Sequence, residues 1–364
     1  MSRRGGDSLA RAALRSGYGA MLGVHAVASI PTSGGRGQPR VFYGGARMGD
    51  VGGPLVKVKR LRDHFPEQRW RYNLVYCLSN APYLPDFALG VLRRRGMPIV
   101  HNQNGVFYPA WYGGDWQAQN ARMARSYHQA RHVFWQSAFC RLSADRFLGA
   151  RQGEGEVLYN AVDTTRFTPA ATRADGPARF LVTGKFDEHM FYRLDGTLRG
   201  LAVVVRQGLD AHLTIAGWTA PEAARQAQSL AAELGLSDRV RLTGAYTQAA
   251  APDIYRAADI YVMTKHNDPC PNTVLEALAC GLPVVYSASG GVPELVGEAG
   301  QGVFVPEDWE RVHAPDPAAL GDSMAHVAAR RADLSAAARA RAIERFDIKF
   351  WIARHRAVFE GLVR

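Results

Sequence analysis

Hydrophobic and polar positions alternate in a regular way along the whole chain. Short apolar runs, bounded by glycine, proline or polar turn residues, are followed by longer segments with helical spacing. Strands that are apolar on both faces and joined by helices are typical of parallel sheets. The runs predict strands at 40–44, 72–78, 98–101, 133–135 and 157–159, and then at 179–183, 212–216, 240–243, 260–263, 283–286 and 302–305.

The two series of strands predict an α/β protein with two facing, doubly wound, Rossmann-like domains. We expect an N-terminal extension at 1–39, a first domain at 40–165 and a second at 166–345. A long helical tail is predicted at 336–363, and its last part, 346–364, is expected to cross back to the first domain. Since ligands of such sheets bind at the carboxyl ends of the strands, the working site is expected in the cleft between the domains.

Composition narrows the class of protein further. Of the 364 residues, 47% are hydrophobic and 21% are charged, which excludes disorder. The four cysteines form no CxxC pair, and no Cys/His cluster has the spacing of zinc ligands, so we expect free thiols, no bound metal and a reducing, cytoplasmic location. No apolar stretch approaches the roughly 18 residues of a membrane span.

The net charge of +11 is confined to the first half of the chain. Residues 1–165 hold 22 Lys and Arg against 10 Asp and Glu, or +12, and residues 166–364 hold 22 against 23, or −1. This asymmetry indicates either an anionic partner for the first half, such as a membrane face or a phosphorylated acceptor, or a simple solubility charge. Nucleic acid is disfavoured because no nucleic-acid-binding motif accompanies the basic residues.

The first 39 residues have two interpretations. Arg3-Arg4 and the weak apolar stretch 18–28 imitate a secretory signal, but His25, Gly19 and Gly23 interrupt that stretch and Gly17 directly precedes it. A basic amphipathic helix from Ser8 to Ala28 fits the segment better, and the charge of this half makes peripheral contact with the inner membrane face an expectation.

The most informative stretch lies at 265–285. After the predicted strand 260–263, an irregular loop leads through Pro271 into a helix, 272–280, which Gly281 closes. Proline at the start of a helix and glycine beyond its end are the common arrangement. The first N–H groups of this helix, at Asn272 and Thr273, together with the positive end of its dipole, are suited to a diphosphate.

Two acidic residues flank that helix end. Glu276, one turn inside the helix, is placed to accept hydrogen bonds from a pair of sugar hydroxyls, and Asp268 lies eight positions earlier on the loop. This pair and the following Glu276-Ala-Leu-Ala-Cys-Gly-Leu-Pro-Val-Val285 resemble the E-x7-E motif of the retaining glycosyltransferases of family 4, which have the GT-B fold. The resemblance implies that Glu276 binds the ribose and Asp268 the donor sugar. Asp268 stands where the family has Glu.

Other segments carry the same resemblance. His101 matches a histidine that points at the transferred sugar in relatives, and we expect it at the end of its strand. The glycine-rich loop 49–54 is similar to the family's loop after the first strand, with Gly52 and Gly53 near the donor. For the family's diphosphate clamp, Lys185 takes the first position. Arg193 takes the second if the loop 188–192 is lengthened.

The predicted function is transfer of a hexose from a UDP- or GDP-sugar to a glycan or lipid-linked acceptor in cell-envelope polysaccharide biosynthesis. We expect retention of configuration and no metal or other cofactor, since the helix end, Lys185 and Arg193 supply the positive charge. The catalytic set is His101, Asp268 and Lys185.

Alternative functions and an aromatic loop remain open. A GT-B epimerase or phosphorylase would need additional acid/base carboxylates or a phosphate or pyridoxal site, and the first half of the sequence shows none. A catalytically weak relative that binds nucleotide or anionic lipid is favoured only by the shorter side chain of Asp268 and the irregular clamp. A nicotinamide oxidoreductase is disfavoured because no GxGxxG follows either first strand. The aromatic loop 108–116 is either an acceptor platform or a packed loop.

Overall fold

The computed structural model describes residues 9–28, 37–46, 48–49, 53–79, 83–172 and 176–364, with side chains described from residue 16 to 25 in the first helix. The chain divides into two compact units. The first consists of Met1–Tyr159, Trp309–Arg311 and Lys349–Arg364, and the second of Asn160–Asp308 and Val312–Ile348.

The first unit is built on a five-stranded parallel sheet in the order β1-β2-β3-β4-β5. Its central strands are buried over their whole length, as their unbroken apolar runs predict. The elements are α1 (Leu9–Ala28), β1 (Val41–Phe42), α2 (Gly53–His64), β2 (Leu74–Leu78), α3 (Asp86–Arg94), β3 (Ile99–Gln103), α4 (Trp116–Gln129), β4 (His132–Trp135), α5 (Ala138–Leu148), β5 (Glu154–Val157) and α13 (Ile348–Leu362).

The second unit contains a six-stranded parallel sheet in the order β11-β10-β9-β6-β7-β8. The elements are β6 (Ala178–Thr183), α6 (Phe191–Arg206), β7 (Ala211–Ala216), α7 (Pro221–Glu233), β8 (Val240–Gly244), α8 (Ala251–Arg256), β9 (Ile260–Met263), α9 (Asn272–Ala279), β10 (Val284–Ser287), α10 (Val292–Val296), β11 (Gly300–Val303), α11 (Pro317–Ala329) and α12 (Arg331–Phe346).

The strand order of the second unit fixes where a ligand can bind. The chain moves outward from β6 through β7 to β8, and then returns to the other side of β6 to build β9, β10 and β11. The helices therefore diverge at the carboxyl ends of β6 and β9, and this topological switch point is the usual ligand crevice of a doubly wound sheet.

The tail differs from the single long helix that the sequence predicted. It begins at Arg331 and breaks at Asp347, whose extended backbone (φ −61°, ψ 135°) ends α12. Asp347 accepts a hydrogen bond from Thr164 Oγ1 in the second unit. The following α13 packs on the first unit, where His355 Nε2 lies 3.1 Å from Tyr76 Oη and Phe359 contacts Phe65. The predicted return of the last helix is confirmed.

The predicted strands are found with shifted ends. The first is only two residues long, β5 ends at Val157 instead of beginning there, and β3 runs on to Gln103. The last shift moves His101 from the end of its strand to the middle. The helix predicted near 8–28 is present as α1.

Candidate functional site

The segment between β9 and α9 forms one wall of the switch point in the second unit. Helix α9 begins at Asn272, directly after Pro271, and no side chain caps its N-terminus. The side-chain Oδ1 of Asn272 is itself buried without a hydrogen-bond partner. The helix end therefore presents N–H groups and the positive end of its dipole at the edge where ligands of such sheets bind.

The loop before α9 is held in a strained conformation. Asn267 has φ +51°, and it is the only residue other than glycine with positive φ in the described part of the chain. Its N–H donates to Ser289 Oγ at 3.0 Å and its side-chain amide donates to the carbonyl oxygen of Asp308 at 2.9 Å. Backbone strain of this kind is sustained by surrounding contacts and is concentrated at functional sites.

Asp268 follows this strained residue and is fixed from three sides. Its Oδ2 pairs with Lys265 Nζ at 2.7 Å, and its Oδ1 accepts a hydrogen bond from the N–H of Cys270 at 3.2 Å. The main chain of Gly290 passes so close that a Cβ there would lie 2.5 Å from the carbonyl oxygen of Asp268. Lys265 is thus a partner of Asp268 that the sequence did not reveal.

Glu276 lies on the second turn of α9 and is buried, with 5% of its surface exposed. The hydroxyl of Tyr255 donates to Glu276 Oε2 at 3.0 Å. Burial and the neighbouring Glu276 carboxylate raise the pKa of Tyr255 well above its ordinary value, so this tyrosine stays a donor. A second buried hydroxyl, on Tyr261, lies 2.9 Å from Thr183 Oγ1 at the end of β6.

Arg193 is a buried cation at the switch point itself. Only 4% of the residue is exposed, its Nη2 donates to the carbonyl oxygen of Thr183 at 3.1 Å, and the same atom lies 4.0 Å from Met263 Sδ at the end of β9. Its Nε is buried without a hydrogen-bond partner. In the described ranges no carboxylate forms an ion pair with Arg193.

Lys185 lies on the same edge of the sheet but is exposed. Its Nζ is 4.8 Å from the centre of the Trp218 indole. The two turns that carry these side chains touch through their main chains, because a Cβ on Gly217 would lie 1.9 Å from the carbonyl oxygen of Gly184. Gly217 also has φ +126°, so both its space and its backbone conformation require glycine.

His101 is not at an open edge, which corrects the expectation from the sequence. It is fully buried in the middle of β3, with Nε2 2.9 Å from Gln103 Oε1 and Nδ1 3.3 Å from Ser126 Oγ on α4. Burial lowers the pKa of His101 to about 4. The structure therefore makes it a neutral core histidine, and a role in touching the transferred sugar has no support from this geometry.

A polar cluster occupies the carboxyl edge of the first sheet instead. Lys57 Nζ, buried on α2, donates to Oδ1 of Asn102 and, at 2.8 Å, to Oδ1 of Asn104. Gln136, directly after β4, also donates to Asn104, and Ser79 Oγ accepts from the N–H of Asn104 at 2.8 Å. The sequence did not reveal this cluster, because its side chains come from α2 and from the ends of three strands and meet only in three dimensions.

The remaining residues singled out from the sequence are the glycine pair Gly52 and Gly53 and the aromatic loop 108–116. Gly53 is the first residue of α2, and Gly52 lies outside the described residues. The aromatic loop packs within the first unit, where Tyr108 stacks on Phe147 and contacts Trp309 edge-on. Of its tryptophans, Trp111 is 37% exposed.

The described residues contain no group of three or more His, Cys, Asp or Glu placed to hold a metal ion. No helix within them is long and apolar enough to cross a membrane.

Part of the chain matches a known protein family. Residues 164–338, which include the Asp268–Glu276 pair, match the model for "Glycosyl transferases group 1". Over this segment the chain is similar to the group 1 glycosyl transferases. The family-4 type of glycosyltransferase that the motif resembles is therefore confirmed.

Curated proteins similar to this chain include two named D-inositol 3-phosphate glycosyltransferase. The one from Geodermatophilus obscurus is 36% identical over 196 residues, covering 50% of this chain and 42% of the relative. The one from Mycolicibacterium gilvum is 32% identical over 189 residues, covering 47% and 42%. The chain thus spans less than half the length of these relatives.

Solved structures confirm the fold class. Sucrose-phosphate synthase from Thermosynechococcus elongatus has a TM-score of 0.63 at 20% identity, covering 81% of this chain and 74% of that chain. HepE from Anabaena, solved in complex with UDP and glucose, has a TM-score of 0.61 at 18% identity, covering 84% and 81%. The chain therefore has the predicted GT-B fold, with two Rossmann-like α/β domains.

Proposed function

We propose that this protein transfers a hexose from a UDP- or GDP-sugar to a glycan or lipid-linked acceptor, with retention of configuration, in cell-envelope polysaccharide synthesis. The observation that carries the proposal is the buried Arg193, a cation at the switch point whose Nε has no partner and which no described carboxylate neutralises. A buried charge without a counter-ion is costly, so its presence calls for an anionic ligand.

The donor's diphosphate is the anion that fits these surroundings. Arg193 supplies a planar guanidinium, the uncapped end of α9 supplies N–H groups and a positive dipole, and Lys185 on the same edge supplies a mobile charge. In this proposal Glu276 accepts hydrogen bonds from the ribose hydroxyls and Asp268 from hydroxyls of the donor sugar. UDP in the Anabaena HepE structure supports a nucleoside diphosphate as the ligand.

The chemistry needs stabilisation of the leaving diphosphate above all. The bond between the anomeric carbon and the β-phosphate oxygen breaks, and its electron pair stays on the phosphate, where Arg193, Lys185 and the α9 dipole stabilise the charge. The acceptor hydroxyl oxygen forms the new bond on the same face of the sugar, and its proton passes to the departing phosphate oxygen. Because these positive groups stabilise the leaving diphosphate, we propose that the transfer needs no metal ion.

On the acceptor side, we propose the polar cluster at the carboxyl edge of the first sheet. Lys57, Asn104 and Gln136 carry donors and acceptors of the kind that hydroxyl-rich glycans require, and here these groups bond to one another. His101 then acts indirectly, since its ring holds Gln103 beside this edge.

The experiment is a titration of the protein with UDP, GDP and ADP in the presence of EDTA, followed by assays of diphosphate release from the matching sugars. We expect binding of one nucleotide without added metal, release that accelerates with a glycan or lipid-linked acceptor, and a product with the donor's anomeric configuration by NMR. Binding without any release would instead support the weak nucleotide-binding relative. Absence of binding to all three nucleotides would refute the proposal.

A further inference from the structure

Four of the eight exposed large apolar side chains described in the first unit lie on or beside α1. Met21 and Val24 on that helix are 46% and 58% exposed, and Trp70 and Phe87 from neighbouring segments are 55% and 53% exposed. We call these four residues the α1 patch. Single exposed apolar residues need no explanation, but a contiguous group marks an interaction surface.

The contacts of α1 show that the four residues form one surface. The rings of His25 and Trp70 have centroids 4.5 Å apart, so Trp70 lies beside the end of the helix. On α3, the ring of Phe87 lies directly over Gly23, where a Cβ would be 2.1 Å from Phe87 Cζ. Trp70 and Phe87, both exposed, therefore lie beside the helix segment that carries Met21 and Val24.

The outward side of α1 lacks the charged residues expected of a surface helix. Between residues 16 and 25 the exposed positions are Ser16, Gly17, Ala20, Met21 and Val24, none of them charged. The inward side is secured, since Leu22 is buried against Gly45 and Tyr18 donates to the Gly45 carbonyl oxygen at 3.2 Å. A helix of a water-soluble protein usually turns polar residues to solvent, so this side is suited to an apolar partner.

The segments that form this apolar surface are rich in basic residues. Arg69 and Arg71, both exposed, flank Trp70 in the sequence, and α1 itself contains Arg11 and Arg15 but no acidic residue. Two acidic side chains of the segments that form the patch have cationic partners, since Glu67 pairs with Arg62 and Arg69 and Asp86 pairs with Arg125. These segments therefore carry more basic than acidic side chains.

We infer that the α1 patch docks onto a membrane surface that contains anionic lipid. Exposed aliphatic side chains with a tryptophan and flanking arginines are the combination that enters the headgroup region of a bilayer. A second copy of this chain fits less well, since a symmetric contact would bring the same basic residues against each other. The inference goes beyond the proposed function, because nucleotide binding in the second unit does not depend on it.

The test is co-sedimentation of the full chain with vesicles of phosphatidylcholine alone and of phosphatidylcholine with about 30% phosphatidylglycerol at low salt. Wild type is compared with the double variant Met21→Asp/Val24→Asp. The control double variant, Leu142→Asp/Phe304→Asp, makes the same change of charge at exposed apolar residues of α5 and of the loop after β11, which are 54% and 81% exposed. Thermal unfolding and nucleotide titration of each variant show that the fold and the donor site are intact.

We expect wild type and the control variant to bind the anionic vesicles, and the α1 variant to partition at least about tenfold less. Binding should weaken with salt and with Arg69→Ser/Arg71→Ser. A wild type that stays in the supernatant, or an equal loss in the two double variants, would overturn the inference. A dimer that the α1 variant abolishes, without vesicle binding, would assign the patch to a second copy instead.

Discussion

The Nη2 atom of Arg193 donates to the carbonyl oxygen of Thr183 at 3.1 Å, at the place where β6 ends beside β9. This bond holds a buried guanidinium at the topological switch point with a neutral acceptor instead of a carboxylate. The charge is therefore oriented but not neutralised, which is how a preorganised anion site differs from a structural ion pair.

Replacing Arg193 with methionine tests whether this arginine serves nucleotide binding or the stability of the fold. Because the arginine is buried without a described counter-ion, we expect R193M to keep the unfolding temperature of the nucleotide-free protein or to raise it. The same change should weaken binding of UDP or GDP about 10- to 100-fold, since charge-assisted bonds to the diphosphate are lost. Calorimetric titration and thermal unfolding, with R193K as the charge-conserving control, measure both. Wild-type affinity in R193M would remove Arg193 from the site.

We expect Glu276 to contribute to nucleotide binding through its negative charge and not through its hydrogen bond to Tyr255. E276Q keeps a side-chain oxygen for the tyrosine but weakens acceptance of ribose hydroxyls, so we expect the dissociation constant for the nucleotide to rise about tenfold or more. Y255F removes the protein's internal bond and leaves the carboxylate, and it should change nucleotide affinity less than E276Q does. The reverse order in calorimetric titrations would mean that the carboxylate is structural.

The contact between the turns after β6 and β7 predicts a strong effect of a single methyl group. G217A places a Cβ against the carbonyl oxygen of Gly184, beside Lys185, and should lower the free energy of unfolding by at least about 2 kcal/mol and weaken nucleotide binding. The control is G235A, at φ +70° with no atom within 4 Å of the added Cβ, where only the backbone cost of about 1 kcal/mol applies. Denaturant unfolding compares the two, and equal losses would contradict the crowding argument.

Two buried histidines predict that the first unit loses stability in mild acid. Burial lowers the pKa of His101 to about 4 and that of His355 to about 3, against about 6.5 in an unfolded chain. Between these values the unfolded state binds more protons, so stability is full above about pH 6.5 and falls by up to about 1.4 kcal/mol per pH unit for each histidine as the pH drops.

The matching variant is H355Q, which removes one of these titrating groups. Its free energy of unfolding, measured by denaturant titration from pH 7 to pH 4, should decline less steeply than that of wild type by about one proton's slope. An unchanged slope would show that His355 is accessible to protons in the folded protein. Nucleotide binding by the second unit serves as the control for that unit.

The second unit could be predicted closely because its signals are local. Proline and glycine bracket α9 in the sequence, as they do in the structure, and the eight-residue spacing of Asp268 and Glu276 follows from one loop and one helical turn. Arg193 could be suggested only by spacing. Its contact with Met263 joins residues 70 positions apart, and no local pattern contains that information.

The first unit was less predictable because its strands are apolar on both faces. A run without alternation fixes neither where a strand ends nor which face a side chain takes. The structure extends β3 by two residues, so His101 turns to α4 while Asn102, on the opposite face, meets Lys57. The Lys265–Asp268 pair also escaped prediction, because the irregular loop that forms it depends on the positive φ of Asn267.

A crystal structure of the protein with bound UDP, prepared in EDTA, tests the central claim most directly. The account predicts diphosphate oxygens about 3 Å from the guanidinium of Arg193 and from the N–H groups of Asn272 and Thr273, with the ribose hydroxyls on Glu276. A nucleotide bound elsewhere, with no phosphate oxygen near the guanidinium of Arg193, would contradict it.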